Sequence, residues 1–304
     1  MRCGKKASDQ VKSLSFGEVL WDLIDGKEHI GGAPFNVAAH LSLLGYESFM
    51  LTRVGRDRLG NGALAEMDRL GVVRTYTQLD GERTTGWAKV SLDASGSATF
   101  AFPDNPAYNF ISADSVTLAS LKRLKLDAIC FGTLVQKGSV SRASLLEVLK
   151  AASPTHVFYD VNIRMEFYPL EIIRESLSLS TIVKLNDDEL PKISVLLYGS
   201  RLTESAFVSR LSNEFPVEVV CVTRGSAGCA VHAAGEVHEV PGIPVKVVDT
   251  VGAGDAFSAA FLRHYVRTGN VEEAAQRGNL LGAYVASQAG AVPEYSAEIR
   301  RLLA

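Results

Sequence analysis

The chain has 304 residues, 47% of them hydrophobic and 21% charged, and a formal net charge of −3. That composition is typical of a globular protein, and the length reads as one large α/β domain spanning 1–304. The charge balance, without a Lys/Arg cluster, leaves no electrostatic footprint for nucleic acid, and no apolar run approaches the roughly 18 residues of a membrane span.

The first residues, Met1–Lys12, are polar and lack the apolar stretch of a signal peptide, so a cytoplasmic protein is expected. Cys3, Cys130, Cys221 and Cys229 show no C-x-x-C spacing. Cys130 and Cys221 lie in apolar runs and read as buried thiols of a reducing compartment. The histidines are scattered without the spacing of a zinc site.

A strand is expected over Ser13–Leu20, an extended-plus-turn segment over Val19–Ile30, a helix over Pro34–Leu44, a strand over Ser48–Val54 and a helix over Leu59–Leu70. Thr84–Leu92 and Ala98–Phe102, joined by Asp93-Ala94-Ser95-Gly96-Ser97, read as a hairpin without an intervening helix. It is either a lid over a site or an ordinary surface hairpin. Phe100 and Phe102, two apart, share one face of it. Strand-like Ala128–Phe131, Val157–Asp160, Ile182–Leu185 and Val217–Thr223 then alternate with helical Ser139–Ala152, Leu170–Leu179 and Thr203–Phe215. A last hairpin is centred on Gly235. Such alternation predicts a mostly parallel sheet with helices on both faces and ligands at the carboxyl ends of its strands.

Residues 249–257, Asp-Thr-Val-Gly-Ala-Gly-Asp-Ala-Phe, carry the most chemistry. Gly252-Ala253-Gly254 opens a helix whose apolar positions are Phe257, Ala260, Phe261, His264 and Tyr265. A helix N-terminus offers unpaired N–H groups, and residues with little side chain let an anion approach them closely. Asp255, in the first turn, is placed to take a proton from a hydroxyl attacking a bound phosphate, although acidic residues in a first turn also simply complement the helix dipole. A second glycine-rich turn, Gly31-Gly32-Ala33-Pro34-Phe35-Asn36, precedes another helix. Pro34 suits a first turn, and Asn36 both donates and accepts, as a polyol hydroxyl requires.

Together the two segments resemble the signatures of the PfkB (ribokinase-like) family of carbohydrate kinases. The N-terminal one matches at Gly31-Gly32, Asn36, Ala38, Gly45 and Gly55, the C-terminal one at Asp249–Asp255 and Ala259-Ala260-Phe261. Lys184-Leu185-Asn186-Asp187-Asp188-Glu189 is similar to the family's Asn-x-x-Glu motif. The resemblance implies a parallel α/β core with a small β lid, formed here by roughly 19–30 and 74–103, and an ATP- and Mg²⁺-dependent kinase. It implies Asp255 as the base and Gly252, Ala253 and Gly254 as the anion hole. Asn186 and Glu189 would organise Mg²⁺ through water, with Lys184 nearby. Thr223, Gly225, Gly228 and Asn279 would line the nucleotide, although Asn279 reads equally as a solvent-facing residue. Asp249 and Thr250, with 289–291, would hold a monovalent cation such as K⁺. A homodimer through the lid is also implied.

For the acceptor, Asp22 matches the sugar-binding aspartate of fructokinase-like members; by itself it reads as a turn residue. Asp160-Val161-Asn162-Ile163-Arg164 resembles a segment of the same subgroup, which places Asn162 near the sugar and Arg164 near the phosphoryl group. Gly31, Gly32, Asn36, Phe100 and Phe102 complete the expected sugar site. Ala33 stands where ribokinase-like and phosphosugar-kinase members carry lysine, which favours an unphosphorylated sugar such as D-fructose. Alternatives are another small acceptor (2-keto-3-deoxygluconate, a nucleoside, an aminosugar) or a non-catalytic sugar- or nucleotide-binding regulator. A dinucleotide-dependent oxidoreductase is disfavoured, because no early Gly-x-Gly-x-x-Gly follows the first strand.

Overall fold

The computed structural model describes residues 10–24, 26–92, 98–164 and 167–303. The expected hairpin tip at 93–97 and the Phe100 side chain lie outside that description. The strands are β1 (Lys12–Phe16), β2 (Leu20–Ile24), β3 (Lys27–Gly31), β4 (Glu47–Gly55), β5 (Thr77–Asp80), β6 (Gly86–Leu92), β7 (Ala98–Ala101), β8 (Ala128–Gly132), β9 (His156–Asp160), β10 (Ile182–Asn186), β11 (Val219–Thr223), β12 (Gly228–Ala233) and β13 (Glu236–Pro241). The helices are α1 (Ala33–Leu43), α2 (Arg58–Arg69), α3 (Ser115–Leu124), α4 (Ser139–Ala152), α5 (Leu170–Leu179), α6 (Glu189–Tyr198), α7 (Glu204–Glu214), α8 (Ala253–Thr268), α9 (Val271–Ala286) and α10 (Ala297–Leu303).

Nine strands form the large sheet in the order β13-β12-β11-β10-β9-β8-β1-β4-β5. It is parallel from β5 to β11, and the β12–β13 hairpin adds an antiparallel edge. The inner strands are buried on both faces, as parallel strands covered by helices must be. Alternation along each strand sorts the side chains. Ile129, Phe131, Val157, Tyr159, Val183, Leu185, Val220 and Val222 join one core cluster. Ala128, Cys130, Phe158, Ile182, Val219 and Cys221 join another, with Phe257 and Phe261 of α8 and Val37 and Leu41 of α1. By the same period of two, Asp160 and Lys184 fall on the α1/α8 side. Cys130, Cys221 and Cys229 are free, buried thiols. No helix among the described residues is long and apolar enough to cross a membrane.

The small sheet has the order β3-β2-β6-β7, two antiparallel hairpins joined by the parallel β2–β6 pair. The expected strand Ser13–Leu20 divides here: β1 ends at Phe16, and the chain leaves the large sheet to enter the small one at Leu20. The range 74–103 expected for the lid is narrower as well, because Thr77–Asp80 pairs with β4 in the large sheet. The small sheet is fastened to α2. Trp21 Nε1 donates to the Leu59 carbonyl at 2.9 Å, and Gly62 leaves room for the indole, which a Cβ there would approach to 3.0 Å. Arg58 grips both Glu28 carboxylate oxygens. Asp57 caps α2 through the Gly60 N–H at 2.7 Å and also accepts from Thr85 N at 2.8 Å, just ahead of β6.

Candidate active site

The site lies where the carboxyl ends of β9 and β10 meet the N-termini of α1 and α8. Both helices begin on a glycine with positive φ, Gly32 at 107° and Gly252 at 78°. Neither position has space for a side chain. A Cβ on Gly32 would come 2.4 Å from the Glu18 carbonyl oxygen, and one on Gly252 would come 2.7 Å from the Ala291 backbone. Asp249 ties the second turn together, its carboxylate accepting from Val251 N at 3.0 Å and Gly290 N at 3.2 Å. Thr250 is exposed. Ala253 N–H bonds the Thr250 carbonyl at 3.3 Å.

Asp255 projects from the first turn of α8 and is 8% exposed. Asn36 Nδ2 donates to its Oδ2 at 2.7 Å. Burial, reinforced by the charge of Asp160, pushes its pKa up to about 6; the Asn36 hydrogen bond, Lys184 and Arg164 oppose the rise. A carboxylate near that value is ionised at neutral pH yet basic enough to accept a proton. Asn36 Oδ1 is buried without a hydrogen-bond partner.

Beneath the turn, Lys184 Nζ donates to both oxygens of Asp160, at 3.1 and 3.2 Å, and both residues are buried. Burial works against the ammonium, but Asp160, Glu189 and Asp255 outweigh it and hold its pKa above the ordinary value. A Cβ on Gly254 would lie 3.1 Å from this ammonium. Lys184 therefore sits behind the Gly252–Gly254 turn as a positive charge paired to Asp160. Ser258 Oγ, also on α8, lies 3.3 Å from Asp160 Oδ2.

Ahead of α6, Asn186 and Glu189 each accept from the other's backbone N–H. Asn186 Oδ1 accepts from Asp188 N at 3.0 Å and Glu189 N at 2.8 Å, while Glu189 Oε2 accepts from Asn186 N at 2.9 Å. Glu189 Oε1 accepts from Ile163 N at 2.7 Å and so holds the loop that follows β9. Burial raises the Glu189 pKa, against Lys184 and the two backbone donors. Both carboxylate oxygens are occupied, and no group of three or more metal-ligating side chains occurs among the described residues. That chemistry fits Mg²⁺ held by water and phosphate oxygens.

In the loop after β9, Asn162 adopts φ 36° and Arg164 is exposed. The Arg164 charge opposes the rise that burial gives the carboxyls of Glu18, Asp22 and Asp255. Asp22 faces Gly31, where a Cβ would come 3.2 Å from its Oδ2. Burial raises the Asp22 pKa, partly offset by Arg164 and His29. Phe102 lies just past β7 and is 45% exposed.

The nucleotide side is less uniform. The Thr223 carbonyl accepts from Asp187 N at 3.0 Å, and Gly225 has open space around it at φ 52°. Gly228 is a packing position, since a Cβ would reach 2.0 Å from the Val240 carbonyl. Asn279 is buried, not solvent-facing; its Nδ2 donates to the Pro241 carbonyl at 2.7 Å and pins α9 to the end of β13. Two residues without an assigned role emerge. Asp160 forms the ion pair, and Glu18 is a buried carboxyl beside the first glycine turn. Only the acidic residue set between Gly17 and apolar Val19-Leu20 could have drawn attention to Glu18.

The chain is a phosphotransferase acting on a sugar hydroxyl, and on its helix-covered parallel sheet two glycine turns at helix N-termini flank the buried Asn36–Asp255 pair. The chain belongs to the pfkB family of carbohydrate kinases, whose sequence model matches residues 6–297. It is 32% identical over 258 residues to a fructokinase of Klebsiella pneumoniae, covering 81% of each chain. It is 28% identical over 312 residues to a probable fructokinase-5 of Arabidopsis thaliana, covering 92% of this chain and 93% of the relative. Its fold superposes on a fructokinase of Xylella fastidiosa solved with bound ATP, with a TM-score of 0.84, 21% identity and 96% and 97% of the two chains covered.

Proposed function

We propose that this carbohydrate kinase transfers the γ-phosphoryl group of ATP to a hydroxyl of D-fructose or a close ketose. The carrying observation is the Asn36–Asp255 pair, which joins a hydroxyl-reading amide to a base at the mouth of the anion turn. The acceptor would lie between the small sheet and the Gly31–Gly32 turn. One of its hydroxyls would donate to Asn36 Oδ1, and the reacting one would give its proton to Asp255 as its oxygen attacks the γ-phosphorus. The oxygen–phosphorus bond to ADP breaks as the new one forms, and the Gly252–Gly254 turn and Arg164 receive the charge on the phosphoryl oxygens. Mg²⁺, when bound with the nucleotide, would neutralise phosphate charge, and water on the Asn186–Glu189 side would orient it.

Ala33 supports an unphosphorylated acceptor, because it contributes no cation beside the sugar. The fructokinase relatives support a ketose. A K⁺ seat is proposed between the Asp249-Thr250 and 289–291 segments, which the Asp249–Gly290 hydrogen bond brings together. A homodimer through the small sheet is proposed on the resemblance alone, and sedimentation would test it. The reaction is tested by ADP release over a panel of sugars, nucleosides and sugar acids. D-fructose should give the highest kcat/KM. Preference for another acceptor would replace the substrate, and sugar binding without ADP formation would make the protein a regulator.

A further inference from the structure

The geometry points to Glu18 as a second sugar-reading residue, whose free carboxyl oxygen bonds a hydroxyl of the acceptor other than the one phosphorylated. Glu18 is 4% exposed, and its Oε2 has no hydrogen-bond partner. Leaving a buried carboxyl oxygen bare is costly, so such an atom marks a place for a ligand group.

Position supplies the direction. The Glu18 carbonyl lies against Gly32, so close that only glycine fits there, and Asn36 follows one turn later on α1. Asn36 Oδ1 is likewise buried without a hydrogen-bond partner. The charged and titratable groups acting on Glu18 are Arg164 of the loop after β9, Asp255 of α8 and Asp160 of β9; Glu18 in turn acts on Tyr108. Three of these four belong to the site already described. The Gly31–Gly32 turn thus has an unsatisfied buried polar atom in the residue packed against it, Glu18, and in the first turn of the helix it opens, Asn36, and an acceptor reaching Asp255 would bond both. Burial raises the Glu18 pKa to about 7, so below that pH the carboxyl carries a proton and donates to the sugar oxygen.

The inference rests on the kinase reading, and the experiment separates the two. Native enzyme, Glu18→Ala and Glu18→Gln are assayed with D-fructose and with fructose analogues each lacking one hydroxyl. If native enzyme phosphorylates no sugar, the kinase reading fails first. If it does, one analogue should lose about 10- to 100-fold in kcat/KM. Glu18→Ala should lose as much on fructose and nothing further on that analogue, with KM for ATP unchanged. Glu18→Gln should regain most of the loss, and it should abolish the weakening of fructose binding as pH rises through about 7. Equal losses on every analogue, or a parallel loss in ATP affinity, would overturn the assignment. Should Glu18→Ala not fold, the alkaline decline in fructose binding decides: its persistence in Glu18→Gln overturns the inference.

Discussion

Asn36 Nδ2 and Asp255 Oδ2 stand 2.7 Å apart, a hydrogen bond between the first turns of α1 and α8. It fixes which carboxylate oxygen stays free. Oδ2 accepts from Asn36, and Oδ1 is the oxygen to which the proposed mechanism gives the acceptor's proton.

Replacing Asp255 with Asn keeps an acceptor for Asn36 and removes the base. kcat should fall about 10²- to 10⁴-fold, while fructose and nucleotide still bind by calorimetry. A kcat within a few-fold of native would sink Asp255 as the base.

The pKa of Asp255 sets the acid side of the pH profile. kcat/KM should climb as pH rises through about 6, ahead of the decline through about 7 expected from Glu18; in Glu18→Gln the rise should end in a plateau. The stability sign is opposite. A carboxyl raised from 3.8 to about 6 contributes stability that is fully present below its unfolded pKa and lost as pH rises through 6. Asp255→Asn, which mimics the neutral form, should thus melt above native enzyme in alkaline buffer, with the gap closing in acid. A melting difference independent of pH would contradict the burial argument.

Much of this was legible in the sequence, and the exceptions share a cause. Leu170–Leu179 and Ser139–Ala152 were readable because hydrophobic periodicity reports burial along a single element. Asp255 and Asn36 stood out because glycine-rich turns announce helix starts near ligands. The Asp160–Lys184 pair was not readable: it needs the β9–β10 register, which sets the two residues side by side. Asn279 was expected at the nucleotide, with a solvent-facing position as the alternative; its hydrogen bond to the Pro241 carbonyl was not readable, because that partner belongs to another element. β5 joined the large sheet through pairing with β4, which a four-residue run does not encode. Local pattern reveals elements; partners across elements are found only by folding.

Lys184→Met removes one member of a buried ion pair and strands the Asp160 carboxylate. Denaturant unfolding should show a loss of about 3–5 kcal/mol. Adding Asp160→Asn should recover part of the stability without restoring kcat, because the positive charge behind Gly254 stays missing. Full recovery of turnover in the double variant would show the pair to be structural only.

The two glycines of the anion turn should differ sharply. At Gly252 a side chain meets both positive φ and the Ala291 backbone, so Gly252→Ala should cost about 1–3 kcal/mol of stability along with activity. At Gly254 the neighbour is the flexible end of Lys184, which can yield. Gly254→Ala should fold nearly as well as native and show its effect mainly in kcat. Equal destabilisation of the two would contradict the packing described.

The Asn36–Asp255 contact joins residues 219 positions apart. At the pace of translation, roughly 5–20 residues per second, the sugar half of the crevice is made about 10–40 s before the phosphoryl half. Through that interval α1 lacks α8, and Val37 and Leu41 await Phe257 and Phe261. A growing chain is therefore unable to turn over ATP, and it offers chaperones an apolar helix face until its last third emerges.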